Sequence, residues 1–188
     1  MNLALLSPDL VAVEDCENGC AFYRTRVRWS PQQETYFHII YKPLDRDVLR
    51  EELRILDAPG VVREMLTTFN GGRLFRAALV VFGVWPPGQL LPAGTDVFSL
   101  PSVDIAVMNV ETDPELGFAV ATYAEDGAMV TVDRKTARVA CWLDGRLRCQ
   151  WDSMNEWFAA ECRRLGSAFD ERGQLRPGQL FPVSPEEP

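Results

Sequence analysis

Two Asp-Gly pairs, Asp126-Gly127 and Asp144-Gly145, punctuate the stretch from Gly117 to Trp151. Asp-Gly between apolar runs is a strong hairpin signal, because the matching two-residue turn needs positive φ at its centre. The segments around these pairs are short and rich in branched and aromatic residues, as strands are. The pattern predicts a four-strand meander over residues 117–124, 128–133, 137–143 and 147–151. A two-residue turn at Asp126-Gly127 would set Tyr123 against Val130 and Ala121 against Val132 on one side, with Val120 against Asp133 and Thr122 against Thr131 on the other. The same turn at Asp144-Gly145 would pair Trp142 with Leu147, Cys141 with Arg148 and Ala140 with Cys149. Cys141 and Cys149 would then point to opposite faces, unable to bridge or to share an ion.

The rest of the chain reads as helices and strands around that meander. Residues 20–29 and 35–41 read as two strands. Residues 45–56 read as a helix, with Asp45 and Asp47 at its positive end and Val48, Leu49, Leu53 and Leu56 as an apolar stripe. A second helix carries Val62, Met65, Leu66 and Phe69, and Asn70-Gly71-Gly72 stops it. Residues 74–85 are almost continuously apolar and predict one interior strand. Six prolines and glycines between residues 86 and 101 mark a long irregular connection. Residues 104–110 are apolar and ambiguous between helix and strand. Ser153-Met154-Asn155-Glu156 predicts a capping box opening a helix over 153–165, with Met154, Phe158, Cys162 and Leu165 facing one way and Gly166 as its cap. From Ser167 the chain is rich in Pro and Gly, so it is either disordered or an extended strap held through Leu175, Leu180 and Phe181.

The charge is unevenly placed. The chain carries 27 acids against 19 Lys and Arg, a net charge of −8. Between Ala77 and Asp133 there is no Lys or Arg, and eight acids lie there: Asp96, Asp104, Glu111, Asp113, Glu115, Glu125, Asp126 and Asp133. Removing them leaves acids and bases in balance, so this stretch supplies the whole net charge. These carboxylates are either solvated loop groups or an acidic binding face. A field of that sign disfavours nucleic acid and acidic membranes and attracts basic partners. The opposite feature, Arg24, Arg26 and Arg28 on one side of a strand, would locally suit a nucleic-acid surface, but the overall charge favours the wet face of an edge strand.

At 188 residues and 47% hydrophobic, the chain is long enough for one domain with its own core. No apolar run is long enough to span a membrane. The first ten residues lack a positive cluster and meet Pro8-Asp9 early, so a signal peptide is not expected. Five cysteines without a secreted framework point to the reducing cytosol. Cys16 and Cys20 lack the further ligands a zinc site needs, and no metal or cofactor site is expected. The single histidine, His38, lies between Phe37 and Ile39 and reads as a core residue, though any histidine-dependent catalysis would have to use it. No nucleophile elbow, phosphate loop or dinucleotide fingerprint occurs, and no catalytic residue is assigned.

Three segments together resemble the SUKH superfamily, which includes fungal cell-wall-synthesis regulators and many bacterial immunity proteins. The first is the helix ending in Phe69-Asn70-Gly71-Gly72 with the apolar run after it. The second is Gly117-Phe118-Ala119-Val120-Ala121, the turn Glu125-Asp126-Gly127 and the strand reaching Asp133. The third is Ala137-Arg138-Val139 to Trp142, then Trp151-Asp152-Ser153-Met154 to Trp157-Phe158. The resemblance covers residues 45–166, leaving residues 1–44 as an N-terminal extension with a strand hairpin and 167–188 as a tail. It implies an α+β fold, a twisted and mostly antiparallel sheet (meander plus hairpin) packed with helices. It also implies a non-catalytic, cytoplasmic protein-binding module without cofactor, whose partner is a toxin domain, often a basic nuclease. The charge pattern makes Asp104, Glu111, Asp113, Glu115, Glu125 and Asp126 the expected partner-facing set. The alternative on the same fold is a regulatory adaptor with no toxin partner, docking through its Pro-rich tail.

Overall fold

Among the described residues nine strands lie in one sheet in chain order, and every neighbouring pair is antiparallel. They are β1 (Leu10–Asp15), β2 (Cys20–Thr25), β3 (His38–Tyr41), β4 (Gly72–Leu74), β5 (Leu79–Val81), β6 (Phe118–Tyr123), β7 (Met129–Val132), β8 (Val139–Leu143) and β9 (Arg146–Trp151). Among the described residues four helices accompany them: α1 (Arg46–Ile55), α2 (Gly60–Thr68), α3 (Ile105–Glu111) and α4 (Met154–Ser167). The fold is therefore α+β, built on an antiparallel meander. This computed structural model describes residue 6 and residues 10–15, 20–25, 36–43, 45–85 and 103–186. The expected connection over 86–101, Asp96, Cys16, Arg26 and Arg28 lie outside the described residues. Strand β3 pairs with β4, so the N-terminal strands continue the same sheet as the meander.

The main core lies between the sheet and helices α1, α2 and α4. Leu49 and Leu53 of α1, Val62, Met65 and Leu66 of α2, and Met154, Trp157, Phe158, Cys162 and Leu165 of α4 are buried in it. Asp45 caps α1 by accepting the Asp47 amide at 2.8 Å. Half of the expected capping box of α4 forms: Ser153 Oγ accepts the Glu156 amide at 3.2 Å, but Glu156 Oε2 reaches past the cap residue and accepts the Asp152 amide at 2.9 Å. Gly166 is not the cap. It lies inside α4, where a Cβ would make only an ordinary contact of 3.7 Å with the Phe75 ring, and Ala168 follows the helix.

The apolar run 74–85 is not one strand. It splits into a hairpin, with β4 and β5 joined by Phe75 to Ala78. Three successive non-glycine residues, Phe75, Arg76 and Ala77, have φ of 53°, 57° and 67°. Such residues are costly in the left-handed region and need outside support. The support comes from β3 and its edge. His38 Nδ1 accepts the Phe75 amide at 3.0 Å, and the Phe37 carbonyl accepts the Arg76 amide at 2.9 Å. Phe75 itself is buried, edge-on to both Phe37 and His38. Periodicity does not distinguish this arrangement from a continuous buried strand, since both halves are apolar throughout.

His38 is 1% exposed, and burial drives its imidazole down to about pKa 3, an effect only partly offset by the Leu6 backbone. The neutral ring, with a bare Nδ1, is what the Phe75 amide requires. A depressed folded pKa means the unfolded chain takes up the proton first. The stabilisation is therefore complete above pH 6.5 and is lost as pH falls towards 3. His38 is the only histidine in the sequence, so no second imidazole contributes in that window. Urea unfolding at a series of pH values should show stability falling by about 1.4 kcal/mol per unit below pH 6. His38→Asn, which keeps an acceptor for the amide, should flatten that slope down to pH 4.5.

Helix α2 ends at Thr68, and Phe69, expected inside it, is already extended (φ −159°, ψ 150°), so the Asn70-Gly71-Gly72 that follows is not its left-handed cap and serves another purpose. The buried Asn70 carboxamide donates to the Val84 carbonyl at 2.9 Å and accepts the Val84 amide at 2.7 Å, standing in for a strand partner. A Cβ on Gly71 would lie 2.7 Å from the Val81 carbonyl oxygen, and one on Gly72 would lie 2.6 Å from that of Ile39. Only glycine allows the strands this approach. Asn70→Ala leaves two buried backbone groups unpaired and should cost about 3 kcal/mol in denaturant unfolding. Asn70→Asp should be no better, since it sets a carboxylate oxygen against the Val84 carbonyl.

Candidate functional site

The ambiguous segment 104–110 forms α3, which stands beside β6 where β5 has ended. Asp104 caps it, with Oδ1 accepting the Ala106 amide at 3.0 Å. Asn109 repeats the role of Asn70: its Nδ2 donates to the Ala119 carbonyl at 2.9 Å, and its Oδ1 accepts the Ala119 amide at 2.8 Å. With Ile105 buried and Asn109 turned onto the strand, Val107 and Val110 of α3 face solvent, 53% and 83% exposed. After α3 comes a 3-10 turn, Pro114–Leu116, capped by Asp113, whose Oδ1 accepts the Glu115 amide at 3.0 Å. The Leu116 carbonyl is tied to the sheet by the Thr131 hydroxyl, which in turn accepts the Trp142 indole N–H at 3.0 Å.

Glu111, Asp113 and Glu115 thus share one exposed corner, with Asp104 at the start of the helix that leads to it. Glu125 and Asp126 do not join them. They sit in the β6–β7 turn, at the far end of a six-residue strand, about 20 Å away. The six expected residues do not form one patch.

Asp126 is spoken for within the chain. Its Oδ2 accepts the Ser184 hydroxyl at 2.6 Å and the Ser184 amide at 2.9 Å, and its Oδ1 accepts the Ala128 amide at 3.1 Å. Partial burial pushes the carboxyl up, but these donors outweigh it and hold the pKa below the usual value. The tail is consequently a docked strap as far as Glu186. Phe169 bridges to Leu175, Phe181 packs edge-on to Phe169, Ser184 is buried, and Glu186 pairs with Arg148 of β9.

The turn carrying Asp126 also departs from the two-residue expectation. The Tyr123 amide bonds to the Ala128 carbonyl, so the loop has four residues, and Thr122 faces Met129. An irregularity between Ala119 and Ala121 then shifts the register again, bringing Ala119 opposite Thr131. The Asp144-Gly145 turn does follow expectation, with φ of 51° and 71° and Trp142 opposite Leu147. Beyond it, Arg148 is an extra residue in the ladder, and Cys141 lies opposite Cys149. The two thiols therefore share a face, contrary to the register read from the turn alone.

Other chemistry is confined. His38 is sealed in the core with its Nδ1 occupied, so it is not placed to act as a solvent-facing base. Glu161, buried on the inner face of α4, is gripped by Arg164 through Nε at 3.1 Å and Nη2 at 2.6 Å, and the same guanidinium lies 5.6 Å from the Tyr123 ring centroid. Helical spacing placed position 161 near the buried stripe, but its carboxylate gave no reason to expect it inside. A cleft of about 70 Å³ between α2 and the start of α4, lined by Val61, Glu64, Met65, Ser153, Met154 and Asn155, has room for a few waters. Among the described residues, no three His, Cys, Asp or Glu side chains converge as metal ligands, and no helix is long and apolar enough to cross a membrane.

No protein-family model matches the chain, and neither a curated protein nor a solved structure is significantly similar to it.

The strap gives a direct test of the role of Asp126. Ser184→Ala and Asp126→Asn should each speed proteolytic cleavage within residues 167–186 several-fold, and should lower stability by about 1 kcal/mol. Glu125→Gln, next door and exposed, should change neither.

Proposed function

We propose that this chain is a non-catalytic binding protein of the SUKH type, and that it neutralises a basic toxin domain, of which a nuclease is the leading kind. The observation that carries this reading is the α3 corner. It combines two exposed valines with Glu111 and Glu115, which accept no hydrogen bond and form no ion pair among the described residues. An apolar centre with an uncompensated acidic rim suits a protein surface with a basic rim, since complementary charge raises association rate and selects the partner. The helix ahead of Asn70-Gly71-Gly72, the antiparallel meander and the Ser153-led helix support the likeness to the superfamily. The tail supports the adaptor alternative less, because Ser184 and Glu186, which an adaptor could offer to a partner, are bound to Asp126 and Arg148.

The test is co-expression with the product of the neighbouring gene. A tagged chain should retain that protein at low salt, release it as ionic strength rises, and protect the producing cells from it. Glu111→Lys with Glu115→Lys, which spares the capping role of Asp113, should slow association at least tenfold while leaving the unfolding midpoint unchanged. Glu125→Lys should bind normally. Undiminished association by the double variant at low salt would remove the α3 corner from the interface.

A further inference from the structure

The pairing of Cys141 with Cys149 has chemical consequences independent of the proposed binding role. Residues directly opposed in an antiparallel pair have Cα atoms about 4.5–5.5 Å apart. That range lies within the separations a disulfide bridges. The side chains also meet, since the two thiols are within hydrogen-bond reach of each other. That hydrogen bond first, and burial second, push the Cys141 thiol well above its usual pKa. Cys162 on α4 is pushed up to about 12, chiefly by burial. These thiols are therefore protected while the sheet is closed.

The pair is nevertheless placed where the sheet opens most readily. Strand β9 is the last in the sheet, and Arg146, Leu147 and Gln150 on it are exposed. An end strand has a neighbour on one side only and frays ahead of interior strands. The same extra residue that brings the cysteines together, Arg148, holds Glu186 of the strap.

We propose that Cys141 and Cys149 are a reversible dithiol–disulfide pair, closed by exchange with a low-molecular-weight disulfide such as oxidised glutathione. On opening of β9, the Cys149 thiol loses its proton and attacks the glutathione disulfide, expelling one glutathione thiolate, which takes up a proton. Cys141 then loses its proton and attacks the Cys149 sulfur of the mixed disulfide, expelling the second glutathione. Two protein thiols are oxidised by two electrons, and one glutathione disulfide is reduced to two thiols. Closure fastens the β8–β9 hairpin covalently and fixes the strand on which the strap is anchored.

Oxidised glutathione added to the reduced full-length protein should remove two hydrogens from its mass without leaving an adduct. Trypsin cutting after Arg138, Arg146, Arg148 and Arg163 separates residues 139–146 from 149–163. Because the second peptide holds both Cys149 and Cys162, the mapping uses Cys162→Ala beside the native chain. The expected product links the two peptides in both proteins, raises the thermal midpoint by a few degrees and reverses with reductant. Cys141→Ala should stop at a stable glutathione adduct on Cys149. Should that variant fold poorly, titration of the native chain in glutathione redox buffers still reads the equilibrium directly. Linkage of either cysteine to Cys162, a persistent glutathione adduct on Cys141 or Cys149 of the native protein, or Cys141 and Cys149 left as thiols in the most oxidising buffer would each overturn the proposal.

Discussion

The Asn70 carboxamide, with one hand on the Val84 amide and the other on its carbonyl, ties together parts of the chain that secondary structure alone leaves apart. Its own backbone amide bonds to the Tyr41 carbonyl, and the Gly71 carbonyl accepts the Tyr41 amide, so β3 is registered against the residues that follow the end of α2. Gly71 and Gly72 let the β5 and β3 backbones approach within distances that any side chain would block. The entry to β4, the exit from β5 and the register of β3 are thereby fixed by one tripeptide. The sheet can remain a single antiparallel stack because this node supplies, through a side chain, the pairing that the short strands β4 and β5 do not extend far enough to make.

The same device recurs at Asn109, which fills the ladder beside Ala119. Two carboxamides thus serve as one-residue strand partners at the two places where the ladder would otherwise stop. A buried backbone amide or carbonyl without a partner costs more than a typical hydrogen bond contributes, so such sites are closed by the side chain best matched to both groups. At Asn109 the requirement has a consequence at the surface. Turning that side chain onto the sheet fixes the rotation of α3, and the rotation leaves Val107 and Val110 outside.

Much of this architecture is legible in the sequence where local chemistry decides it. The Asp144-Gly145 turn, the serine cap of α4 and the buried Val62, Met65 and Leu66 of α2 all depend on residues close in the chain, and they lie where those residues put them. What failed depends on contacts made far away. The run 74–85 hides a reversal because its left-handed residues are held by His38 and Phe37, over thirty positions earlier. The pairing of Cys141 with Cys149 is hidden by an extra residue whose presence the turn does not announce. A one-residue change of register moves side chains to the other face, so a correct turn with an unseen bulge still gives the wrong neighbours.

The acidic stretch was the least legible part, and its chemistry explains why. In the described part of that stretch each aspartate is committed to nearby backbone: Asp104 and Asp113 cap helical turns, Asp126 holds Ala128 and the strap, and Asp133 accepts the Lys135 and Thr136 amides. Each glutamate there, Glu111, Glu115 and Glu125, is exposed and outside any hydrogen bond or ion pair. The difference is one methylene. An aspartate carboxylate reaches the amide two residues on, whereas a glutamate side chain is longer and loses more rotamer freedom in doing so. Counting both types as one acidic face therefore merges groups that build turns with groups that are available to a partner. Separating them leaves Glu111 and Glu115 beside exposed valines on one corner and Glu125 alone at the other end of β6. Uncommitted charge beside uncovered apolar surface is the combination that a protein partner can use and that the fold itself does not.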